Sequence, residues 1–231
     1  MIDPFALQEE AWPESVAFLP YVGKHYMAGP RGHRVLLLGE SHYRCEGSTD
    51  DPAVTRGFTR GTFNDMATCQ RKGGGKFFDE LDRIVTCQEL PPVEIAADAW
   101  RHVSFLNLSQ AFAGSHAGHR PRNEQLRLGG DVLVKTVLPV LRPTVILVLG
   151  RTAWRQFRHG EVAQRIPLFR AARVNQGARK RRYVEEREVW RLKYEGGAAW
   201  MTWVYHPSWN VDHWEDRAGA LRHLLELSVQ A

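Results

Sequence analysis

Cysteine is scarce in this chain: Cys45, Cys69 and Cys87 are the only three, and they are widely spaced. An odd number without a CxxC pair excludes a disulfide framework and a metal site built on paired cysteines, so we expect reduced, structural thiols. No apolar run is long enough to cross a bilayer, and residues 1–5 lack the basic and then apolar layout of a secretory signal. We therefore expect a cytoplasmic protein without membrane contact.

The common glycine-rich nucleotide motifs are also missing. No G-x-G-x-x-G follows the first buried strand, which disfavours a dinucleotide-dependent oxidoreductase. The glycine triplet at 73–75 lacks the GxxxxGK[ST] spacing of a phosphate loop, although it could let the next helix start close to a ligand. The sequence indicates neither a metal nor a cofactor.

Composition is that of an ordinary globular protein, with 43% hydrophobic and 25% charged residues in 231. This length suits one α/β domain over 1–231, in which residues 1–30 form a helical or irregular lead-in, with a turn at 12–15 before a short amphipathic helix. The net charge of +5 permits attraction to a polyanion. Basic residues cluster at 119–122 and 179–182, and each cluster is either a phosphate contact or a solvated loop.

Short apolar runs alternate with segments of helical periodicity, which predicts a mostly parallel sheet covered on both faces. The predicted strands are 34–39, 103–107, 144–150 and a hairpin of 188–193 and 198–205. The predicted helices are 77–85, 132–141, a helix opening at 152, and 216–228. Residues 47–64, rich in Gly, Asp, Thr and Arg, are predicted to be a long functional loop above the strand ends.

Polar side chains stand where three of these strands end. The first strand runs into Gly39-Glu40-Ser41-His42-Tyr43, the second ends in Asn107, and the last delivers His206-Pro207-Ser208. In open α/β sheets the ligand crevice lies just beyond the carboxyl ends of the strands. These residues are therefore expected to form one small-molecule site.

The same segments resemble the uracil-DNA glycosylase superfamily. Its first motif reads GQDPY or GEAPG after a buried strand, and its late motif reads HPS or HPA, similar to residues 39–43 and 206–208 here. Residues 75–81 resemble the GxLLDxL helix start of the thermophile-type branch, and residues 142–153 resemble its strand followed by LGxxA. The resemblance covers residue 34 to the C-terminus and implies a three-layer α/β/α sandwich with a central, mostly parallel sheet.

Two departures from the family are clear in the sequence. The cysteines do not reproduce the four ligands of the iron–sulfur branch, so no cluster is expected. Ser41 stands where the GQDPY branch keeps its water-activating aspartate, and His42 replaces the proline.

Roles follow from the resemblance. His206 takes the place of the histidine that donates to the base oxygen, Asn107 that of the amide reading the base edge, and Tyr43 that of the phenol excluding a methyl group. Gly39 and Ser208 belong to the same motifs as substrate-binding positions. Glu40 or His42, with Ser41, is expected to orient or activate water. The alternative is that Glu40 and His42 form a structural pair at the start of a loop.

A flipped base needs an aromatic face, for which Phe58 and Phe63 are the candidates, with Phe77 third. Trp209 follows the late motif where family members push a wedge into the duplex; its alternative is a packing role on the C-terminal helix. Basic residues expected to contact DNA phosphates are Arg120, Arg122, Arg179, Lys180, Arg181 and Arg182.

The sequence therefore predicts a monomeric DNA glycosylase that hydrolyses the N-glycosidic bond of a deaminated or damaged base, foremost uracil, in single- or double-stranded DNA. One alternative is a nucleic-acid-binding protein that keeps the fold and pocket but has lost the chemistry. Another is a hydrolase of free nucleosides or nucleotides.

Overall fold

The computed structural model describes residues 11–44, 52–69, 75–116, 118–157, 161–173, 181–209 and 213–229. Side chains within 52–54, 161–173 and 181–186 are not described. Strands in the described residues are β1 Tyr21–Val22, β2 Val35–Gly39, β3 Val103–Asn107, β4 Val145–Leu149, β5 Glu161–Arg173, β6 Arg181–Tyr194 and β7 Gly197–Val204. Helices are α1 Pro52–Ala67, α2 Lys76–Thr86, α3 Val93–Trp100, α4 Asn123–Val132, α5 Leu138–Leu141, α6 Arg151–Trp154 and α7 Trp214–Val229.

One sheet runs in the order β1-β3-β2-β4-β7-β6-β5. The four central strands β3, β2, β4 and β7 are parallel, while β1, β6 and β5 pair antiparallel at the two sides. Gly39 pairs with Asn107, so the ends of β2 and β3 are level. The polar segments after the parallel strands consequently meet at one edge of the sheet.

Alternate residues of β2 enter two apolar clusters on opposite faces of the sheet, as the pleat requires. Leu36 and Leu38 join the cluster that contains residues from α4 and α5. Val35 and Leu37 join the cluster that contains residues from α1, α2, α3 and α7. Both faces of the central strands are therefore buried, which is why these strands read as continuous apolar runs.

The central strands and the helices α2 and α7 lie where the sequence predicted them. The helix predicted over 132–141 begins earlier, at Asn123, and passes through a π-helical turn at Leu133–Val137 before α5. The helix predicted to open at 152 is only four residues long, Arg151–Trp154. The predicted hairpin is present, but β6 extends back to Arg181 and pairs there with β5, which the sequence did not predict.

Two expectations were wrong. The described part of the predicted loop 47–64 belongs to the helix α1. Burying Phe63 and Met66 in the core stabilises this helix by more than the weak helix propensity of Gly57 and Gly61 costs. Residues 11–30 hold no α-helix but a series of turns and the strand β1. Here Tyr21 pairs with Phe105 and donates its hydroxyl hydrogen bond to the carbonyl of Trp100.

Within the described ranges, no helix combines the length and the apolar character needed to span a bilayer. Cys69 and Cys87 are free thiols, and Cys45 lies outside the described residues.

Candidate functional site

A cavity of about 500 Å³ lies at the carboxyl ends of β2, β3 and β7, with walls from α1 and α2. This volume falls within the range typical of small-molecule sites. The side chains that line it come from six separate stretches of the chain: Ser41, His42, Tyr43, Phe58, Thr62, Phe63, Phe77, Phe78, Phe105, Asn107, Arg120, His206, Ser208 and Trp209.

Most of the residues proposed from the sequence meet in this one cavity. Gly39 and Glu40 lie beside it without lining it, and Arg122 is an exposed residue at the start of α4. Arg179 and Lys180 lie outside the described residues, whereas Arg181 and Arg182 belong to β6 with their side chains not described. Thr62, Phe78 and Phe105 line the cavity without having been singled out in the sequence.

Gly39 is a point of close approach between two strand ends. A methyl group on Gly39 would collide with Oδ1 of Asn107 and would lie 2.9 Å from Cζ of Phe105. The Asn107 side chain is thus held directly over the backbone of β2, and it is only 6% exposed. A buried amide with a paired donor and acceptor is suited to reading the polar edge of a ligand.

The His206 side chain has a defined tautomer. Its Nδ1 accepts a hydrogen bond from the backbone N–H of Ser208 at 3.3 Å, so in the neutral ring the proton sits on Nε2. The ring stacks against Phe77 at 5.2 Å between centroids with an interplanar angle of 22°. His206 is therefore positioned as a hydrogen-bond donor through Nε2.

Burial keeps that imidazole uncharged. Desolvation, followed by the positive charges of Arg120 and Arg217, lowers the pKa of His206 from 6.5 to about 4. A neutral imidazole can still donate a hydrogen bond, and this bond stabilises negative charge that develops on a ligand during a reaction.

His42 lies deeper in the wall than its place in the motif suggests. Its Nε2 is 2.8 Å from Oγ1 of the fully buried Thr59, and its ring contacts Phe18 and Phe58 at centroid distances of 4.8 and 4.9 Å. Burial lowers the pKa of His42 to about 3. So low a pKa makes this imidazole a weak base near neutral pH.

Glu40 has a charge partner in the structure. Its buried Oε1 accepts a hydrogen bond at 3.1 Å from Nη1 of Arg120, 80 residues away in the sequence. A methyl group on Gly150, whose φ is +136°, would lie 3.6 Å from Oε2 of Glu40 and 4.0 Å from Cδ2 of His206. The Glu40 carboxylate and the His206 ring thus face the same glycine at the end of β4.

Arg120 lines the cavity and is partly exposed. The guanidinium lies 5.4 Å from the centre of the Trp209 ring and also pairs with Glu40. The Arg120 side chain is 46% exposed and Trp209 is 49% exposed. A cation near the opening, fixed by a carboxylate and an aromatic ring, favours ligands that carry or develop negative charge.

Arg217 of α7 supports the site in a way that the sequence did not reveal. It is 1% exposed and donates to the carbonyls of Tyr205 at 3.3 Å and Trp209 at 2.6 Å, on either side of His206. It also forms an ion pair with Glu80 of α2. One guanidinium therefore ties the loop 205–209 to α2, the helix whose first turn carries Phe77.

An aromatic wall forms the apolar side of the cavity. Phe63 of α1 stacks on Phe105 of β3 at 4.0 Å and 25°, and Phe63 also meets the edge of Phe78. Oγ of Ser41 is buried and makes no hydrogen bond within the described part of the chain. The cavity thus offers flat apolar faces to a ligand.

The described residues contain no group of three or more His, Cys, Asp or Glu side chains arranged to hold a metal ion. No protein-family model matches the sequence, and no protein of curated function matches it significantly. The functional argument therefore depends on the geometry of the cavity and on the motifs at the strand ends.

Proposed function

We propose that this protein is a DNA glycosylase with the three-layer α/β/α arrangement of the uracil-DNA glycosylase superfamily. Its substrate is a deaminated or damaged base, foremost uracil, flipped out of DNA into the cavity. The observation that carries the proposal is the neutral His206, its proton on Nε2, in one cavity with Asn107 and five phenylalanine rings.

Each part of the reaction has a candidate group. The bond between C1′ and the base nitrogen breaks with its electrons leaving on the base, which therefore departs as an anion. His206 donates to the oxygen that gains this charge, and the guanidinium of Arg120 stabilises the same charge at longer range. Asn107 pairs with the edge of the base, while Phe63 and Phe77 flank the space for its faces.

The attack of water needs positioning more than a strong base, because an oxocarbenium-like sugar is highly electrophilic. The Ser41 hydroxyl has no hydrogen-bond partner in the described residues, and it would hold such a water once its side chain turns towards the cavity. The proton of the water is lost to solvent after attack, and the base anion takes up a proton. Glu40 acts indirectly, by holding Arg120 in place through their hydrogen bond. His42 has a structural role in the cavity wall, where it is hydrogen-bonded to Thr59.

The direct test uses oligonucleotides, single- and double-stranded, that carry one uracil and a fluorescent label, with alkali to cleave abasic sites. We expect cleavage by the wild-type protein, and loss of about 2–4 kcal/mol of transition-state stabilisation in His206→Ala. His25→Gln, at an exposed histidine far from the cavity in sequence, is the control and should keep the wild-type rate. An unchanged rate in His206→Ala would contradict the proposed mechanism.

A second candidate function is a nucleic-acid-binding protein that has lost the chemistry. The observation favouring it is that Glu40 is engaged by Arg120 and that burial lowers the pKa of His42 to about 3, so both candidate bases are compromised. No cleavage of uracil, hypoxanthine or xanthine oligonucleotides, with binding retained, would support this function. Cleavage of free deoxyuridine alone would instead indicate a nucleoside hydrolase.

A further inference from the structure

Trp209 is an exposed aromatic residue at the cavity. It lines the cavity and is 49% exposed. Among the described residues it is the only exposed large hydrophobic side chain with an aromatic ring. The others are aliphatic: Leu90, Val93, Ile95, Leu128 and Val229. An indole buries more apolar surface than most side chains, so a ring left half exposed at a cavity is available for contact with a ligand.

Both backbone polar groups of Trp209 are anchored. Its N–H donates to the carbonyl of His206 at 2.8 Å, and its own carbonyl accepts a hydrogen bond from Arg217 at 2.6 Å. The Arg120 guanidinium lies 5.4 Å from the centre of the ring and is itself bound to Glu40. The indole and the guanidinium therefore form a preorganised pair of flat groups.

A second arginine and aromatic ring meet beside another wall of the cavity. The guanidinium of Arg44 lies 5.7 Å from the centre of the Phe112 ring. Phe112 in turn meets the cavity-lining Phe58 of α1 edge to face at 5.4 Å. The backbone N–H of Arg44 donates to the carbonyl of Gly114 at 2.8 Å, which joins the segment after β2 to the segment that carries Phe112. This pair thus adjoins the α1 wall, whereas Trp209 belongs to the loop after β7.

Two arginine–aromatic pairs beside one cavity are a pattern suited to single-stranded nucleic acid. Proteins that bind single strands stack successive bases on aromatic side chains, with cation–π contributions from arginine. Bases in a single strand are free to stack in this way. In a duplex they must first be unpaired and unstacked, at a cost in free energy.

Trp209 is poorly placed to act as a wedge. A wedge side chain enters between base steps and holds them apart. The Trp209 ring lines the cavity beside a charged guanidinium, so its insertion would bring that charge against the apolar stack as well. A stacking surface at the cavity fits the observed geometry better than a wedge.

We propose that this protein binds single-stranded DNA, with the altered base in the cavity and its two neighbours stacked on Trp209 and Phe112. The proposal rests on the proposed function in taking DNA as the ligand, but it requires no bond cleavage. Arg120 and Arg44 extend the two stacking surfaces through their guanidinium planes. Binding is tolerant of sequence outside the cavity, because every base has a flat face.

The test is the binding of fluorescently labelled, undamaged DNA measured by anisotropy, with a single strand of about 12 nucleotides and the duplex of the same sequence. The wild type should bind the single strand more tightly than the duplex. Trp209→Leu should lower single-strand affinity about 5- to 100-fold, as expected for the loss of one stacked base. Trp209→Phe keeps a ring and should retain most of the affinity. The control Leu128→Ala changes a side chain of similar exposure, 50%, and should bind as the wild type does.

Two further variants separate stacking from charge and from folding. Phe112→Leu keeps an apolar contact for Phe58 but removes the flat ring, so single-strand affinity should fall about fivefold or more. Arg120→Lys keeps a positive charge beside Glu40 but loses the planar group, so it should also weaken single-strand binding. Its control is Arg127→Lys, exposed on α4, which should have no effect. Thermal melts monitor the folding of each variant.

Three results would overturn the proposal. They are a duplex bound as tightly as the single strand, an unchanged single-strand affinity in Trp209→Leu, and a loss in that variant confined to duplex DNA, which a wedge predicts. Uracil release is scored separately. Single-strand binding without release would leave this proposal standing and reject the glycosylase. Uracil release that depends on Trp209 only in duplex DNA would reject this proposal and leave the glycosylase standing.

Discussion

The buried guanidinium of Arg217 provides a prediction that is independent of any substrate. Arg217→Met removes one partner of an ion pair in which both side chains are at least nine-tenths buried. Breaking such a pair costs about 3–5 kcal/mol, because the remaining charge is left in a poorly polar environment. Glu80 keeps a second partner, Arg83, at 2.6 Å. We therefore expect the lower end of the range, about 3 kcal/mol.

The matched control is Arg83→Met. It removes the other cation from the same carboxylate, but the Arg83 side chain is 27% exposed and its ion pair is partly solvated. Its loss should cost about 1 kcal/mol or less. Urea denaturation followed by tryptophan fluorescence and by circular dichroism measures both values. The double variant E80Q/R217M completes a thermodynamic cycle that isolates the coupling between the two residues.

A second readout reports on the site itself. Because Arg217 holds the carbonyls of Tyr205 and Trp209 and its charge contributes to the low pKa of His206, Arg217→Met should raise that pKa from about 4. Histidine side-chain NMR against pH measures it. If Arg83→Met costs as much stability as Arg217→Met, or if the pKa of His206 does not move, Arg217 does not hold the loop as argued.

Three further predictions concern the cavity. Burial lowers the pKa of His42 to about 3. Below pH 6.5, therefore, His42 takes up a proton in the unfolded chain but stays neutral in the native state. Stability should therefore fall on acidification from about pH 6.5 towards 3, by up to about 1.4 kcal/mol per pH unit, and His42→Gln should flatten this dependence in urea melts. Gly39→Ala should cost about 1–3 kcal/mol by displacing a strand end, whereas Gly61→Ala, with open space around it on α1, should stabilise slightly in the same thermal melts. Arg120→Gln should slow release of uracil more than release of 5-fluorouracil, whose anion is intrinsically more stable. Arg122→Gln, outside the cavity, should leave the ratio of the two rates unchanged.

Much of the central fold was predictable because the local signals were strong. β2, β3 and β4 are short apolar runs buried on both faces; the first two end in polar residues, Glu40 and Asn107, and β4 ends in a glycine, Gly150. Parallel strands bring such ends to one edge, so the meeting of Asn107 with residues 41–43 and His206 follows from topology.

What the sequence did not reveal depends on contacts between distant residues. The α1 segment contains Gly57 and Gly61, which read as loop, yet Phe63 is buried against Phe105. The pairing of Glu40 with Arg120 joins residues 80 apart, and that of Glu80 with Arg217 joins residues 137 apart. Local patterns carry no information on partners at such separations. The roles of these charged residues therefore became visible only in three dimensions.

The order of the strands has a consequence for synthesis. β7 inserts between β4 and β6, and it is followed at once by His206 and then by α7 with Arg217. While a ribosome is still translating β6, the nascent polypeptide contains the cavity residues that follow β2 and β3, but it lacks His206 and also Arg217, which holds the loop of His206. The cavity is therefore completed late in synthesis, after the last central strand has been added. Stalled or truncated products that end before residue 206 should lack a complete cavity.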